Sequence, residues 1–320
     1  MSFKPFWGLR HPILQTILGA KLPSRYKHPE TYQRITLSDG DALVLAITTP
    51  AQWIETRPSV VALHGLGGSH KSGYINRLRA KIVALGYRFI AVNFRGCGAG
   101  VGFAKGLYNA GCSTDILQVA QYLKQDTPNS PLVLIGYSLG GNVALKLAGE
   151  LKEQAKNYFA GVIAITPPID LANCADLIQK RSNTIFRRYY IRKLWQTVKE
   201  RHTRFPELGP SPKSDMSYGF WEFDDCYTGP QSGFLNARDY YQHASAISVL
   251  ENINLPCKIL FAADDPFIDC SVIKPINLAH FIEVLITPHG GHMGFLAAPK
   301  GARPLRWMDH KIMDWVKELV

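Results

Sequence analysis

Cysteines and long apolar runs are scarce in this sequence, and their scarcity limits the classes of protein to which it can belong. Six cysteines lie far apart in 320 residues and form no C-x-x-C pair. That pattern predicts reduced thiols and argues against a disulfide framework or a zinc site. No stretch reaches the roughly 18 apolar residues that a membrane-spanning helix needs. Residues 1–7 also lack the apolar segment of a secretory signal, so the sequence predicts a cytoplasmic protein.

Acidic residues are outnumbered, with 25 Asp and Glu against 36 Lys and Arg and a formal net charge of +11. No nucleic-acid module and no basic tract with interleaved aromatic residues accompanies this charge, so we expect no nucleic-acid partner. The densest group of cations lies between residues 180 and 204. We interpret it as a solvated helix face, in preference to the alternative of weak contact with an anionic membrane surface or ligand.

The arrangement of apolar runs predicts the fold class. With 46% apolar and 19% charged residues, the composition is that of an ordinary globular protein. Two strand-like runs at 32–37 and 43–48 flank an Asp-Gly turn and predict a hairpin. From residue 60 onward, short apolar runs alternate with helical patterns. This order is typical of an α/β fold with a mostly parallel central sheet covered by helices on both faces.

The same patterns divide the chain into parts. Residues 31–169 and 254–320 form the predicted α/β core. Residues 1–30 contain four prolines and are predicted to be an irregular arm that packs on this core. Residues 170–253 are helical and then rich in aromatic residues, and they are predicted to be a helical lid over the strand ends. The alternative is a helical layer that only packs on the sheet.

The most informative motif is G-Y-S-L-G at 136–140, which fits the G-x-S-x-G pattern of a nucleophile elbow. An apolar run at 131–135 precedes it and a helical pattern at 142–148 follows it. A serine on a sharp turn between strand and helix has its hydroxyl exposed, and the glycines allow the tight turn. Ser138 is therefore the predicted nucleophile. The alternative is a glycine-rich turn with a chance serine.

A second glycine-rich loop, H-G-L-G-G at 64–68, follows the predicted strand at 60–63. Main-chain amides in such a loop can face the negative charge that develops on a carbonyl oxygen during acyl transfer. We predict that the amides of Leu66 and Leu139 form this oxyanion hole. His64 and Gly65 are predicted to support it.

The chain has ten histidines, so a general base must be chosen by its position. His292 lies in G-G-H-M-G at 290–294, a loop that follows the predicted strand at 281–285. A histidine on a loop at a strand end can reach Ser138 and take its proton. His292 is favoured over its neighbour His289 because glycines on both sides free the loop to present it.

The acid that orients the histidine is predicted in A-A-D-D-P-F at 262–267, just past another strand. The order of nucleophile, acid and base is then the one expected after a G-x-S-x-G elbow. Asp265 is favoured over Asp264 because it stands directly before the proline, and Asp264 then hydrogen-bonds locally in the turn. Asp170, which follows a strand at 161–165, is the third candidate.

One more glycine-rich stretch, N-F-R-G-C-G at 93–98, follows a predicted strand. It raises the question of phosphate binding. The chain has no G-x-x-x-x-G-K-[ST] and no G-x-G-x-x-G after its first βα strand. Arg95 is therefore predicted to brace loops near the site, with no role toward a nucleotide.

Together these motifs resemble the α/β-hydrolase superfamily over residues 35–320 and, more closely, the YheT-like hydrolases. The closer resemblance rests on W-G-L-R-x-x-x-L-Q-T-I at 7–17, H-G-L-G-G-S at 64–69, N-F-R-G-C-G at 93–98, G-Y-S-L-G-G-N at 136–142, A-A-D-D-P-F at 262–267 and G-G-H-M-G-F at 290–295. The resemblance implies an α/β-hydrolase fold. It also implies a serine carboxylesterase or lipase-like enzyme that needs no cofactor, and the residues predict no metal site.

The combined prediction is a serine hydrolase. Ser138, His292 and Asp265 cleave a small-molecule carboxylic ester through an acyl-enzyme intermediate. The same residues can also serve in an acyltransferase, a thioesterase or an enzyme that cleaves C–C bonds. An alternative of another class is a non-catalytic binding or membrane-surface protein on the same scaffold. The full set of catalytic residue types argues against it.

Overall fold

The structure is a computed structural model that describes residues 3–21, 29–297 and 306–320. Within them, one sheet contains eight strands in the order β1-β2-β4-β3-β5-β6-β7-β8. The strands are β1 (Thr31–Thr36), β2 (Ala42–Thr48), β3 (Ser59–Leu63), β4 (Arg88–Asn93), β5 (Leu132–Tyr137), β6 (Gly161–Ile165), β7 (Cys257–Ala262) and β8 (Ile282–Thr287). Strand β2 runs antiparallel to both of its neighbours, and the other neighbouring strands are parallel. The prediction of a mostly parallel sheet is confirmed.

Helices connect most of the strands. They are α1 (Pro12–Lys21), α2 (Gly73–Ala84), α3 (Ser113–Asp126), α4 (Leu139–Leu151), α5 (Leu171–Gln179), α6 (Thr184–Arg204), α7 (Phe220–Phe223), α8 (Gly229–Gln231), α9 (Ala237–Ala244) and α10 (Trp307–Leu319). A short π-helix, Asp224–Thr228, lies between α7 and α8. Helices α5 to α9 all belong to the long insertion between β6 and β7.

Strand β5 shows how the sheet is buried on both faces. Leu132 and Leu134 pack in a core cluster with side chains of α3 and α4. Val133 and Ile135 pack in a second cluster with side chains of α2 and α10. Because successive side chains point to opposite faces, a strand covered on both sides needs a continuous apolar run. The predicted α/β class, with helices on both faces, is confirmed.

The insertion has a small core of its own. Ile191, Trp195 and Val198 are buried on one face of α6 at helical spacing, and they pack against Phe223 and Tyr227. The break between α5 and α6 begins at Lys180, the C-cap of α5. Asn183 holds this break, since its side-chain amide donates to the carbonyl oxygens of Leu177, at 2.9 Å, and Pro266, at 2.8 Å.

The prediction of an irregular arm over residues 1–30 is wrong for residues 12–21, which form α1. Pro12 is the first residue of this helix, where a missing N–H costs nothing because it would have no partner inside the helix. A count of prolines therefore underestimated helix formation. Residues 22–28 of the arm lie outside the described residues. Phe3, Gln15 and Thr16 of the arm are buried against the rest of the protein.

Candidate functional site

Ser138 occupies the turn between β5, which ends at Tyr137, and α4, which begins at Leu139. Its backbone has φ 50° and ψ −120°. A non-glycine residue adopts this left-handed region only where the surrounding structure imposes it. A Cβ on Gly140 would lie 2.6 Å from the carbonyl oxygen of His64, so only glycine fits there. The strand, turn and helix predicted around Ser138 are all present.

The structure brings the three favoured residues into one hydrogen-bonded chain. Ser138 Oγ lies 2.9 Å from His292 Nε2, and His292 Nδ1 lies 2.8 Å from Asp265 Oδ2. A carboxylate can only accept, so Nδ1 of the neutral imidazole carries the proton and Nε2 is left to accept from the Ser138 hydroxyl. The tautomer that this arrangement favours is the one a general base needs.

Backbone amides hold the Asp265 carboxylate in place. Oδ1 accepts hydrogen bonds from the amides of Phe267, at 2.9 Å, and Ile268, at 3.2 Å. The other oxygen therefore faces His292. The Asp265 side chain is only 1% exposed, so water does not compete for the pair. The ring of Phe267 packs edge-on against the His292 ring, with centroids 5.0 Å apart.

The rival residues have other partners. Asp264 Oδ1 accepts from the Gly291 amide at 2.9 Å, and its Oδ2 lies 3.3 Å from His289 Nδ1. Asp264 thus ties down the loop that carries His292 and does not contact its ring. Asp170 caps α5, accepting from the Asn173 amide at 3.0 Å. Of the three aspartates, Asp265 is the one that reaches the His292 ring.

Two tyrosines arrange the amides of the loop at 64–68. Tyr74 Oη accepts from the Gly65 amide, and Tyr108 Oη accepts from the Gly67 amide, each at 2.9 Å. The Leu66 amide lies between them. In the described part of the chain, neither it nor the Leu139 amide donates to another protein group. Both are available to a ligand oxygen. Sequence reasoning missed these tyrosines, because no spacing rule links them to the loop.

His64 is an uncharged side chain that supports this loop from below through two hydrogen bonds. It is fully buried, and its Nδ1 donates to the Gly65 carbonyl oxygen at 2.8 Å. Its Nε2 accepts from the Phe94 amide at 3.4 Å. Burial lowers the pKa of His64 to about 4. The ring therefore stays neutral at physiological pH, which leaves Nε2 able to accept.

Arg95 braces loops, but it does not contact the Ser138–His292–Asp265 chain. Its guanidinium makes two hydrogen bonds of 2.7 Å to Asp115 of α3. It also reaches Asp41, at 2.7 Å, and Asp39, at 2.5 Å, in the turn between β1 and β2. The hydrogen bonds to Asp115 raise the pKa of Arg95 above its ordinary value. The side chain therefore ties the first hairpin to α3.

Two cavities meet at Ser138 and His292. The smaller, about 110 Å³, is lined mainly by apolar side chains, including Leu171, Ala175 and Ile178 of α5. The larger, about 450 Å³, lies between the two helices α1 and α6, and Ile17 and Tyr189 are among its lining residues. The insertion between β6 and β7 lines both cavities. Residues of the insertion and, in the larger cavity, of the N-terminal arm therefore line the space next to Ser138.

A buried carboxyl group lines the smaller cavity. Asp224, in the π-helix, accepts a 2.6 Å hydrogen bond from the Tyr241 hydroxyl. Burial raises the pKa of Asp224 from its ordinary 3.8 to about 6. No spacing rule pointed to this residue, and the only sequence signal was its place within the aromatic part of the insertion.

The raised pKa of Asp224 predicts a pH-dependent stability. Between pH 3.8 and about 6 the folded state binds more protons than the unfolded state, so the free energy of unfolding falls as pH rises through this window. Asparagine keeps an oxygen for Tyr241 and does not titrate. The free energy of unfolding of Asp224→Asn, relative to that of the wild type, should therefore rise by about 2 kcal/mol between pH 4 and pH 7. Urea unfolding at both pH values measures this, and an unchanged difference between the two proteins would contradict it.

The cation-rich segment between residues 180 and 204 contains several side chains without a carboxylate partner in the described part of the chain. No ion pair with a carboxylate is made, within the residues that the structure describes, by Arg181, Arg188, Arg192, Lys193 or Lys199. The interpretation of this segment as a solvated helix face, and the alternative of weak contact with an anionic surface or ligand, both stay predictions. No helix in the three described ranges is long and apolar enough to cross a bilayer. Nor do those ranges contain a group of three or more His, Cys, Asp or Glu side chains that could hold a metal ion.

Comparisons with known sequences identify the family of the chain. A family model described as the alpha/beta hydrolase fold matches residues 58–299. The chain is 30% identical to the YheT protein of Escherichia coli, over 98% of this chain and 93% of that protein. It is 29% identical to a monoacylglycerol lipase of Saccharomyces cerevisiae, over 78% of this chain but only 57% of the yeast protein. It is 25% identical to the mouse phospholipase ABHD3, over 96% and 75% of the two chains.

Solved structures show the same fold at lower identity. An esterase of Pyrococcus furiosus has a TM-score of 0.58 and 16% identity, with 93% of this chain and 97% of that chain covered. A 2,6-dihydroxy-pseudo-oxynicotine hydrolase has a TM-score of 0.62 and 16% identity, with 96% and 71% covered. At this identity the likeness concerns the fold alone.

Proposed function

Because the chain belongs to the α/β-hydrolase fold family and, within it, to the YheT-like proteins, we propose that it is a serine hydrolase that cleaves carboxylic esters. Relatives named as a lipase and a phospholipase support a hydrolase. The observation that carries the proposal is the hydrogen-bonded chain from Ser138 through His292 to the buried Asp265. A nucleophile, a base within hydrogen-bond reach and a group that orients the base are what acyl transfer to serine requires.

In the proposed reaction, Ser138 Oγ attacks the ester carbonyl carbon while His292 Nε2 takes the hydroxyl proton. The tetrahedral intermediate collapses, the bond to the leaving oxygen breaks, and His292 returns the proton so that an alcohol departs. Water then attacks the acyl-enzyme by the same route and releases a carboxylic acid with free Ser138. Asp265 keeps His292 in the required tautomer and stabilises the imidazolium.

The amides of Leu66 and Leu139 are the proposed oxyanion hole. Both donors are free of protein partners in the described residues, while the tyrosine hydroxyls take up the amides of Gly65 and Gly67. Donors that are already oriented need no rearrangement as charge develops on the carbonyl oxygen. The backbone conformation of Ser138, with φ 50° and ψ −120°, supports this assignment, because the ψ angle orients the peptide that contains the Leu139 amide at the start of α4.

The two cavities suit the two halves of an ester. We assign the acyl group to the smaller apolar cavity of about 110 Å³ and the alcohol part to the larger one of about 450 Å³. Apolar walls with few polar groups are typical of sites that take hydrocarbon chains. We assign the role of lid to residues 170–253, because they line both cavities. A lid of this kind excludes water from the acyl-enzyme.

A fluorophosphonate probe and an ester panel test the proposal. The wild-type protein is expected to form a covalent adduct, and peptide mass spectrometry should locate it on Ser138. It should also hydrolyse p-nitrophenyl esters in a series from acetate to palmitate, with a preference for the shorter acyl chains that a small cavity accepts. A protein that neither reacts with the probe nor hydrolyses any ester would overturn the assignment. A maximum at palmitate would overturn only the assignment of the smaller cavity.

A further inference from the structure

The N-terminal motif W-G-L-R-x-x-x-L-Q-T-I contributes Thr16 and Ile17 to the wall of the larger cavity, and its polar residues Gln15 and Thr16 also contact the loop that carries His292. Gln15 is 0% exposed and Thr16 is 8% exposed on α1. Polar side chains buried to this degree need hydrogen-bond partners. Thr16 binds His292, which lies 276 residues further along the chain, and Gln15 binds Leu296, which lies 281 residues further along. Such long-range contacts made by adjacent residues point to a specific docking of α1.

Thr16 holds the backbone of His292 itself. Its hydroxyl donates to the Pro12 carbonyl oxygen at 2.8 Å, within α1. Its oxygen accepts the His292 N–H at 2.9 Å. Because the hydroxyl proton is committed to Pro12, a lone pair of the same oxygen is turned toward His292. The amide that Thr16 fixes belongs to the residue whose ring reaches Ser138.

Gln15 binds Leu296, at the C-terminal end of the same loop, through both the oxygen and the nitrogen of its side-chain amide. Its Oε1 accepts the Leu296 N–H at 2.7 Å, and its Nε2 donates to the Leu296 carbonyl oxygen at 3.1 Å. The same Nε2 also donates to the Leu9 carbonyl oxygen at 2.6 Å. The Phe6 amide adds a second donor to Leu296, at 3.1 Å. One side chain thus satisfies the backbone of Leu296 as a neighbouring strand would.

The loop adopts a conformation that its own residues do not favour. Met293 has φ 61° and Phe295 has φ 42°, and non-glycine residues keep such values only where contacts from outside impose them. The loop lies directly against α1, since a Cβ on Gly294 would be 2.5 Å from the Gln15 carbonyl oxygen. Asp264 holds this loop at Gly291, and the contacts from α1 hold it at His292 and Leu296, on either side of Met293 and Phe295.

We propose that Gln15 and Thr16 are positioning residues, which hold the backbone of the histidine loop so that His292 Nε2 stays within hydrogen-bond distance of Ser138 Oγ. The inference rests on the catalytic role proposed for His292. It gives the N-terminal motif a function in the reaction although neither residue touches the reacting atoms.

Thr16→Val tests the inference, because valine keeps the shape of threonine and removes the hydroxyl. Thr127→Val is the matched control. Thr127 is also 8% exposed, and its hydroxyl also donates to the carbonyl oxygen four residues earlier, that of Leu123, at 3.1 Å. It has no contact with the histidine loop. Loss of stability should therefore be similar in the two variants, while loss of activity should not.

We expect Thr16→Val to lower kcat about 10- to 100-fold at nearly unchanged KM, since a displacement of about 1 Å can cost 100-fold in rate. The rate of fluorophosphonate labelling should fall in parallel. Thr16→Ser, which restores the hydroxyl, should recover most of the activity. Thr127→Val should keep kcat within about twofold of the wild type. If Thr16→Val retains wild-type kcat, or if both valine variants lose activity equally, the positioning role is refuted.

Proton NMR supplies a readout that does not depend on turnover. The proton between His292 Nδ1 and Asp265 should give a low-field resonance in the wild type, assigned by its loss in Asp265→Asn. Thr16→Val should shift or broaden it, and Thr127→Val should leave it in place. A wild type with this resonance but no ester hydrolysis would contradict the proposed function alone. An identical resonance in Thr16→Val and the wild type would contradict the positioning role alone.

Discussion

Ser138→Ala is expected to lower kcat for ester hydrolysis by about 10⁶-fold, the loss typical of removing a catalytic serine. Alanine has no oxygen to attack the carbonyl, and the remaining oxyanion donors and cavities stabilise only a direct attack by water. KM should change little, because the amides of Leu66 and Leu139 still bind the carbonyl group. Steady-state kinetics on a short p-nitrophenyl ester and labelling with a fluorophosphonate probe measure the two effects.

The control for this variant is Ser59→Ala. Ser59 is a buried serine on β3 whose hydroxyl lies 2.9 Å from that of Ser130, away from both cavities. It should keep the activity and the labelling of the wild type. Undiminished labelling of Ser138→Ala would mean that another residue is the nucleophile. Circular dichroism should show that both variants fold.

Asp265→Asn is expected to lower kcat by about 10⁴-fold, and the structure supplies a specific reason. The amides of Phe267 and Ile268 both donate to Oδ1. In the variant they require the asparagine oxygen at that position, so the NH₂ group is turned toward His292. A donor facing Nδ1 favours the tautomer with its proton on Nε2, which cannot accept the proton of Ser138.

Asp264→Asn is the matched comparison for Asp265→Asn. Its asparagine oxygen can still accept from the Gly291 amide, and it loses only the carboxylate beside His289. A reduction of less than about tenfold is expected, because this side chain acts on the loop and not on the imidazole. A larger loss in Asp264→Asn than in Asp265→Asn would reverse the assignment of the acid. Kinetics of both variants on one ester decide between them.

Local patterns carried much of the fold prediction. Strands β3, β5 and β6 of the parallel part are short apolar runs that are buried throughout, because they are covered on both faces. The pattern of apolar residues along the chain therefore predicted these strands, and the helical patterns between them predicted the connecting helices. Their order in the sheet, with β4 placed between β2 and β3, depends on pairing between segments distant in sequence. Periodicity contains no information about such pairing.

The arm shows where local reasoning failed. Four prolines in residues 1–30 favoured an irregular segment, although Pro12 stands where a helix tolerates proline. The burial of Gln15 depends on the histidine loop being folded against it. No sequence pattern within residues 12–21 identifies the histidine loop as the segment that α1 contacts. The resemblance marked W-G-L-R-x-x-x-L-Q-T-I as a family feature, and its contacts explain why a glutamine and a threonine stand side by side there.

By itself, the sequence determined the α/β class, the elbow at Ser138 and a short list of candidate partners, because strands, turns and glycine-flanked loops are encoded by neighbouring residues. Only the tertiary structure decided which aspartate reaches His292, which amides are left free and what holds the histidine loop. Those answers depend on atoms within about 3 Å of each other but as much as 281 residues apart in the chain. Packing of the whole domain, and no local preference, brings them together.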